Sequence, residues 1–326
     1  MGALVDFLSS ETGGFLKLKH GQSLKTHQQH AVASLLTKIK NEATDEEIAA
    51  TGRESLLLCH DTGLGKSITA LATAAAVLRR HPHLCKDKPI MLICPLGIVR
   101  YFLNTARNWL ALEKRDIVLC TSKTDITKSV LRSAKLIITT PGCVVACYRT
   151  FARQVRDPDN PRRKIFSRCL ISKRRNGKVI TTKKNPPRHA LFRLCDDADR
   201  KNTVAFPLLI LDEIHTLGSP RTYSGHCIAR LARSAVYRLG LSATPVSSSP
   251  ANAAHVSALL DAKPEFLQTA SEYSVAGFGA RSINRDTVKQ FNDHLIHRVG
   301  TRDVRLVPYT IVRLAFEPHI GRRPDG

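Results

Sequence analysis

The chain has 326 residues, a hydrophobic fraction of 43% and a formal net charge of +23. This hydrophobic content suffices for a large buried core and excludes a disordered chain, and the length allows one large domain or two ordinary ones. The excess of cations favours a polyanionic partner such as nucleic acid, although a merely soluble basic surface gives the same count.

Nine cysteines are scattered along the chain without a C-x-x-C pair, which is typical of reduced thiols in a cytosolic or nuclear protein. Two clusters come closest to metal sites, and we interpret both as structural because neither has a partner pair at zinc spacing. They are His81 with His83 and Cys85, and Cys143 with Cys147. No apolar run reaches membrane-spanning length, so a membrane partner is not expected.

The predicted elements alternate between helix and strand. A helix with a polar entry is predicted over residues 24–36, followed by a polar loop over 41–54. The elements that follow are a strand at 56–59, a helix at 68–78, a strand at 90–94, a helix at 97–110, a strand at 117–120, a short helix at 126–132 and strands at 135–139, 208–211 and 237–241. This alternation indicates an α/β fold, with a mainly parallel sheet covered by helices on both faces.

The alternation stops between residues 151 and 203. This stretch holds 16 Lys or Arg against 5 Asp or Glu, and four prolines, which indicates an insertion on the surface. Its basic clusters at 162–164 and 173–175 could contact phosphates or act as a nuclear import signal. A solvated loop without a specific role explains the composition equally well.

The sequence LLLCHDTGLGKS, which ends at Ser67, has the composition of a phosphate-binding loop between a strand and a helix. Gly63 and Gly65 permit a tight turn that directs backbone N–H groups to the positive end of the helix, where phosphate oxygens bind. Lys66 can then reach the β- and γ-phosphates, and the hydroxyl of Ser67 can bind a magnesium ion. His60 replaces the first glycine of the strict pattern, so a glycine turn before an ordinary helix is the alternative.

A second informative stretch follows the predicted strand at 208–211. Asp212 lies at the carboxyl end of that strand, where nucleoside triphosphatases hold magnesium. Glu213 can accept a proton from an attacking water molecule or orient it. The N-cap of a helix is the alternative explanation for two adjacent carboxylates. The strand at 237–241 leads into the sequence SATP, which carries small hydroxyl residues where a strand leaves the sheet.

Six stretches together resemble the successive motifs of superfamily-two helicases. In chain order they are LKTHQQHAV, HDTGLGKS, ICPLGIVRYFLNTARNW, IITTP, LLILDEIH and LGLSATP. The stretches ICPLG and LSATPVSSSP are most similar to the Swi/Snf-type DNA translocases. The phosphate loop without its first glycine also resembles that of the DNA-dependent ATPases of large DNA viruses. The resemblance implies a RecA-like lobe that binds ATP with magnesium.

The resemblance implies a role for each matching residue. The ATP-binding residues that it implies are Gln28, Thr62, Gly63, Leu64, Gly65, Lys66 and Ser67. Gln28 matches the glutamine that reads the adenine edge, although an exposed helix residue is the alternative. Lys66, Asp212 and Glu213 match the catalytic residues, with Glu213 as the hydrolytic base. Ser67 and Asp212 match the two residues that hold the magnesium ion.

The resemblance also implies residues that connect the nucleotide to DNA. The coupling residues are His215, Ser242, Ala243 and Thr244. Nucleic acid in this family runs across the loops that follow the strands, so Arg100 and Thr140 are candidate contacts to DNA phosphates. Such contacts hold a backbone without reading its sequence, and we therefore expect non-specific, salt-sensitive DNA binding.

We expect residues 23–316 to form the first RecA-like lobe, interrupted by the insertion at 151–203 and flanked by an extension at 1–22 and a tail at 317–326. A second lobe, with the arginines that reach the γ-phosphate, is not expected in this sequence. Because arginine fingers contribute about 10³ to 10⁵ in rate, the isolated chain should bind ATP but hydrolyse it slowly unless a second chain completes it.

Two classes of function remain open from the sequence. The first is the ATP-binding lobe of a DNA-dependent ATPase, which the intact Lys66, Ser67, Asp212 and Glu213 favour. The second is a catalytically weak remnant that binds DNA or a partner through its basic insertion. A nucleotide kinase or transport ATPase is disfavoured by the SATP segment and by Gln28. A nuclear location is expected, or a cytoplasmic one if the protein is viral.

Overall fold

The computed structural model of the chain describes residues 24–36, 54–149, 189–201, 203–217 and 223–243, and the single residues 47, 256, 259 and 260. Outside these ranges it gives the backbone of five strands. The predicted extension at 1–22 and tail at 317–326 lie outside the described residues.

The helices and strands follow one another in the predicted alternation as far as Thr139, and four strands then lie between Arg153 and Lys183 without a helix between them. The helices are α1 (Thr26–Leu36), α2 (Lys66–Arg80), α3 (Val99–Trp109), α4 (Lys128–Ser133), α5 (Pro141–Arg149), α6 (Ala190–Arg200) and α7 (Tyr223–Ala232). The strands are β1 (Glu54–His60), β2 (Ile90–Ile93), β3 (Ile117–Cys120), β4 (Leu136–Thr139), β5 (Arg153–Arg156), β6 (Lys164–Ser167), β7 (Leu170–Arg175), β8 (Lys178–Lys183), β9 (Phe206–Asp212), β10 (Ala235–Leu241) and β11 (Ile296–Val299).

A seven-stranded sheet forms the middle layer, in the order β11-β1-β10-β9-β2-β4-β3. Every strand pair in it is parallel. One face packs against α1, α2 and α3, and the other against α4, α5, α6 and α7. The strands are continuous apolar runs because both faces are covered. The α/β fold with a parallel sheet between two helical layers, predicted from the sequence, is confirmed.

The strand β1 shows how the sequence builds both layers. Leu57 packs into the apolar cluster on one face, whereas Leu56 and Leu58 pack into the cluster on the other. Successive side chains in a strand point to opposite faces, so a run of leucines supplies both cores at once. The alanine-rich α2 buries Ala70, Ala74 and six further residues, mostly small, against the sheet.

The stretch at 151–203 contains two hairpins and a helix. Strand β5 pairs with β6, and β7 with β8, as two separate antiparallel sheets. The helix α6 departs from the prediction of a surface insertion, because Leu191, Phe192 and Cys195 are buried in the main core. Their spacing is helical, but the many cations of the surrounding stretch concealed this pattern.

None of the described helices is both long and apolar enough to cross a membrane.

Candidate nucleotide-binding site

The candidate site lies along the edge where the parallel strands end. Strand β10 lies between β1 and β9, and its residue Leu241 pairs with both Leu58 and Asp212. With about 4.8 Å between neighbouring strands, Asp212 is roughly 10 Å from the strand that leads into the phosphate loop. The loop after β1 and the carboxylate after β9 therefore share one edge.

The loop after β1 turns at two glycines with left-handed backbones. Gly63 has a φ of 86° and Gly65 a φ of 79°, which side chains of L-residues rarely adopt. A Cβ on Gly63 would meet no described atom within 4 Å, but a Cβ on Gly65 would lie 2.4 Å from Nε2 of Gln28. Gly65 is therefore required both by its own backbone and by the neighbouring helix. Thr62 is exposed in this loop.

Helix α2 begins at Lys66, so that Lys66 and Ser67 lie in its first turn. The first backbone N–H groups of a helix have no partners within the helix, and the helix dipole adds positive potential there. Nζ of Lys66 donates to the carbonyl oxygen of His60 at 2.8 Å and to that of Asp61 at 3.3 Å. The lysine thus lies across the loop, next to the end of the helix where an anion would bind.

Gln28, on α1, contacts the loop directly. It is 5% exposed, which excludes the interpretation as an exposed helix residue. Its Oε1 accepts a hydrogen bond from the backbone of Lys25 at 2.9 Å, and its Nε2 donates to the carbonyl oxygen of Leu64 at 3.3 Å. An amide side chain has two donors and two acceptor lone pairs. After these two bonds, one donor and one acceptor of the amide remain toward the described residues.

Asp212 ends β9 with a buried carboxylate that is 5% exposed. Burial, followed by the nearby charge of Glu213, raises its pKa from an ordinary 3.8 to about 6. The backbone N–H of Glu213 and the ammonium group of Lys66 act in the opposite direction. The strand pairing places the loop of the lysine and this carboxylate at the same edge of the sheet. A buried carboxylate with a raised pKa is one that a bound cation would stabilise in its charged form.

Glu213 follows with a strained backbone. Its φ of 46° and ψ of 49° are left-handed, which is uncommon for a residue other than glycine. Such strain persists where the surrounding structure imposes it, and it clusters at active sites. Among the described residues, no bond from the Glu213 side chain caps the short 3₁₀ turn at Ile214–Thr216. The alternative interpretation of the two carboxylates as a helix N-cap therefore finds no support.

His215 connects the ends of β9 and β10. Its Nδ1 lies 2.8 Å from Oγ of Ser242 and 3.4 Å from Oε2 of Glu213. The backbone N–H of Ser242 donates to the carbonyl oxygen of Leu58, on β1, at 3.1 Å. The structure therefore brings the first two predicted coupling residues together. Ala243 is half-buried beside them, and the fourth of them, at position 244, lies outside the described residues.

The candidate DNA contacts follow β2 and β4 at the same edge, where Ile93 pairs with Thr139. Arg100 is exposed, whereas Thr140 is 5% exposed. The hydroxyl oxygen of Thr140 accepts a hydrogen bond from the backbone N–H of Cys143 at 3.2 Å and so caps α5. The sequence signal for this cap, a threonine before a helix-starting proline, is visible in TTP.

Three residues at this edge were not singled out from the sequence. Leu96 and Tyr101 are 68% and 55% exposed and flank Arg100. His27 lies on α1, and its Nε2 is 3.1 Å from the carbonyl oxygen of Leu64. A contact between residues so far apart in the sequence leaves no local pattern by which it could be found.

The residues that resembled metal clusters have structural partners instead. His81 is fully buried, and its Nε2 lies 2.9 Å from the hydroxyl oxygen of Tyr237. Cys143 and Cys147 are buried on α5 in the main core.

A parallel sheet with a glycine-turned phosphate loop and a buried carboxylate at its carboxyl edge defines the chain as a RecA-like P-loop lobe. Residues 27–287 match the SNF2-related domain, and the chain belongs to that family. The Swi/Snf-type resemblance drawn from the sequence is confirmed. No curated protein sequence matches the chain significantly.

Solved structures support the same fold. The SWI2/SNF2 ATPase core of Sulfolobus solfataricus in complex with double-stranded DNA matches with a TM-score of 0.55 at 16% identity, over 87% of this chain and 46% of that one. The SWI2/SNF2 ATPase core domain of the same organism matches with a TM-score of 0.52 at 16% identity, over 88% and 45% of the two chains. The present chain therefore spans less than half the length of either structure.

Proposed function

We propose that the chain is the first ATP-binding lobe of a DNA-dependent ATPase of the Swi/Snf type, which hydrolyses ATP when a second RecA-like lobe completes the site. The observation that carries this proposal is that strand pairing brings the loop that leads to Lys66 and the buried Asp212 to one edge of the sheet. A structural glycine turn has no need of a buried carboxylate at that place. Membership of the SNF2-related family supports the same function.

The phosphate groups of ATP would bind where α2 begins. The left-handed Gly63 and Gly65 leave the backbone open to close approach, and the first turn of α2 supplies N–H donors. Lys66 would exchange the carbonyl oxygens of His60 and Asp61 for phosphate oxygens. An ammonium group in contact with a charged oxygen forms a stronger bond than one with a neutral carbonyl, so the exchange is favourable.

Ser67 and Asp212 are the residues that would hold a magnesium ion. Magnesium prefers oxygen donors and is usually held by one or two carboxylates together with substrate phosphates, rather than by a cage of protein ligands. The raised pKa of Asp212 marks a carboxylate whose burial is only partly compensated by its neighbours. When bound, the ion would neutralise charge on the phosphate oxygens.

Glu213 is the proposed base, which would accept a proton from the attacking water or orient it. It follows Asp212 directly and has a strained backbone, and its Oε2 lies 3.4 Å from Nδ1 of His215. If nucleotide binding moves the Glu213 carboxylate, the contact to His215 changes, and with it the contact of His215 to Ser242. We propose that these contacts connect nucleotide binding to the DNA surface.

Duplex DNA is the proposed partner, held through its backbone across the loops after β2 and β4. Arg100 is an exposed cation on that path, and the +23 charge of the chain favours a polyanion. Contacts of this kind predict affinity that falls with salt and depends little on DNA sequence.

Titration with ATP and with duplex DNA tests the proposal. The chain should bind a fluorescent ATP analogue with magnesium, and Lys66→Ala should weaken this binding at least tenfold. Lys86→Ala, at an exposed lysine beyond the end of α2, is the control and should bind normally. Turnover by the chain alone should be slow. Fast DNA-stimulated hydrolysis by the isolated chain would contradict the need for a second lobe.

A second candidate function is a DNA- or partner-binding module without catalysis. The observation in its favour is that the basic stretch after α5 forms two hairpins rather than a featureless loop. DNA affinity without any ATP affinity would favour this candidate over the first.

A further inference from the structure

We propose that His27 is a positioning residue which, together with His60, holds the phosphate loop in its nucleotide-binding shape. The inference rests on the proposed ATP site, and it assigns a role to a histidine that would otherwise be an ordinary residue of α1.

The contact to Leu64 is the first observation. Nε2 of His27 lies 3.1 Å from the carbonyl oxygen of Leu64, and Nε2 of Gln28 donates to the same oxygen at 3.3 Å. A carbonyl oxygen has two lone pairs, so these two donors fill it. The side chain of Leu64 is 2% exposed, which fixes the residue from its other side. Helix α1 therefore holds the middle of the loop at the carbonyl group of Leu64, a residue whose burial limits its movement further.

The ring of His60 is the second observation. It is fully buried and meets the ring of His27 edge to face, with 5.5 Å between centroids and an interplanar angle of 68°. Edge-to-face pairs of this kind are favourable. His60 stands where the strict phosphate-loop pattern has a glycine, and its carbonyl oxygen receives Nζ of Lys66. The two imidazoles thus fix the beginning of the loop as the bond to Leu64 fixes its middle.

The contacts of His27 with Leu64 and His60 form a clamp, which orients the peptide groups that lead into α2. A fixed carbonyl on Leu64 sets the plane of the peptide that joins it to Gly65. The carbonyl oxygen of Gly65 in turn accepts hydrogen bonds from the backbone N–H and the hydroxyl of Thr69 at 2.9 and 3.1 Å. The N–H groups that would face phosphate are therefore oriented before the nucleotide arrives. A loop that is ordered in advance loses less entropy on binding.

Substitutions at His27 separate the two contacts. His27→Ala removes both the ring and the donor, His27→Gln keeps an N–H donor without the ring, and His27→Phe keeps a ring without the donor. His30→Ala is the matched control, because His30 is an exposed histidine on the same helix. Two measurements are made on each full-length protein: affinity for a fluorescent ATP analogue with magnesium, and hydrogen exchange of the amides at 64–69 without nucleotide.

His27→Ala should weaken ATP binding about fivefold to tenfold, since one net hydrogen bond and a ring contact are lost. His27→Gln should restore affinity to within about twofold to threefold of the parent, because the bond to a backbone carbonyl is regained. Exchange at 64–69 should become faster in His27→Ala and stay unchanged in His30→Ala.

Affinity and loop exchange in His27→Ala that match those of His30→Ala would overturn the proposal. Faster exchange spread over α1 and the sheet would also overturn it, since His27 would then serve general stability. If the unmodified chain binds no ATP, the proposed function fails, but the exchange experiment still decides on the clamp. Faster exchange confined to the loop would then support it.

Discussion

His215 and Ser242 lie in contact, with 2.8 Å between Nδ1 and Oγ, although they follow different strands. The backbone of Ser242 continues the connection to Leu58, on the strand that carries the phosphate loop. Three strand ends are therefore linked by two hydrogen bonds at the edge where nucleotide and DNA are proposed to bind. A contiguous set of contacts of this kind provides a path for coupling, which only energetic measurements can establish.

Breaking the contact should uncouple the two ligands without removing either. His215→Ala and Ser242→Ala should each leave ATP affinity within about twofold when DNA is absent, because the contact that is lost joins the residues after β9 and β10. The change in ATP affinity caused by duplex DNA should become smaller in both variants. In the double variant this change should be no smaller than in either single variant. Titrations of the four proteins with and without DNA measure this.

Ser129→Ala, on the exposed surface of α4, controls for a lost hydroxyl group. Fully additive effects of His215→Ala and Ser242→Ala would show that the two side chains act independently.

Asp212→Asn should stabilise the nucleotide-free protein at neutral pH. The folded pKa of about 6 lies above the ordinary 3.8, so the folded state binds the proton more tightly than the unfolded state. The ionised carboxylate therefore destabilises the fold above pH 6, and this cost disappears as the pH falls toward 4. Removing the charge should raise the free energy of unfolding by about 1–3 kcal/mol at pH 7.

Urea unfolding of both proteins between pH 4 and pH 8 measures this difference. The gain from Asp212→Asn should shrink with falling pH and vanish near pH 4, which serves as an internal control. A gain that does not change with pH would mean that packing, rather than charge, distinguishes the two side chains. ATP turnover should be lost in the variant at every pH.

The two glycines of the phosphate loop should differ in their tolerance of a methyl group. Gly63→Ala adds backbone strain alone, at about 1–3 kcal/mol, whereas Gly65→Ala adds a clash with Gln28 as well. Combining Gly65→Ala with Gln28→Ala removes the clash but keeps the strain. The double variant should therefore be less destabilised than the sum of its single variants by at least about 1 kcal/mol.

Thermal and urea unfolding of the four variants provide the comparison. If the changes in the free energy of unfolding from Gly65→Ala and Gln28→Ala simply add in the double variant, the close contact between these residues is contradicted.

Arg238 anchors β10 from inside the protein. It is fully buried, with Nε donating to the carbonyl oxygen of Ala232 and Nη1 to that of Leu260, both at 2.8 Å. Arg238→Met should lower the free energy of unfolding by about 2–4 kcal/mol, because these buried carbonyl groups lose a charged donor. Arg233→Met, at an exposed site, should change it by less than about 0.5 kcal/mol. Equal effects in urea unfolding would show that the buried bonds contribute nothing net.

The parallel sheet could be predicted because its strands are apolar runs. Strand β3 occupies residues 117–120 as predicted, and β1, β2, β4, β9 and β10 extend or shorten their predicted runs by no more than two residues at either end. The edge strand β11 was not predicted as a strand. The placement of Asp212 beside the phosphate loop follows from the same logic, since the ends of parallel strands meet at one edge.

Other features have no local signal in the sequence. The left-handed backbone of Glu213 depends on contacts with its surroundings, and the contact of His27 with Leu64 joins two distant segments. Helix α6 is a different case, because the spacing of Leu191 and Cys195 is helical. Its place in a stretch dominated by cations made a surface insertion the simpler interpretation.

The path proposed for DNA predicts a specific change in salt dependence. Arg100→Ala should weaken binding of duplex DNA to a similar extent for unrelated sequences, and the slope of log affinity against log salt should fall by about 1. Arg132→Ala is the matched control, since Arg132 is exposed near the end of α4, just before β4 begins at the opposite edge of the sheet. Its DNA binding should keep the parent's slope. Equal slopes for the parent and both variants would place the DNA elsewhere on the surface. A slope reduced equally by both substitutions would indicate that total charge alone governs binding.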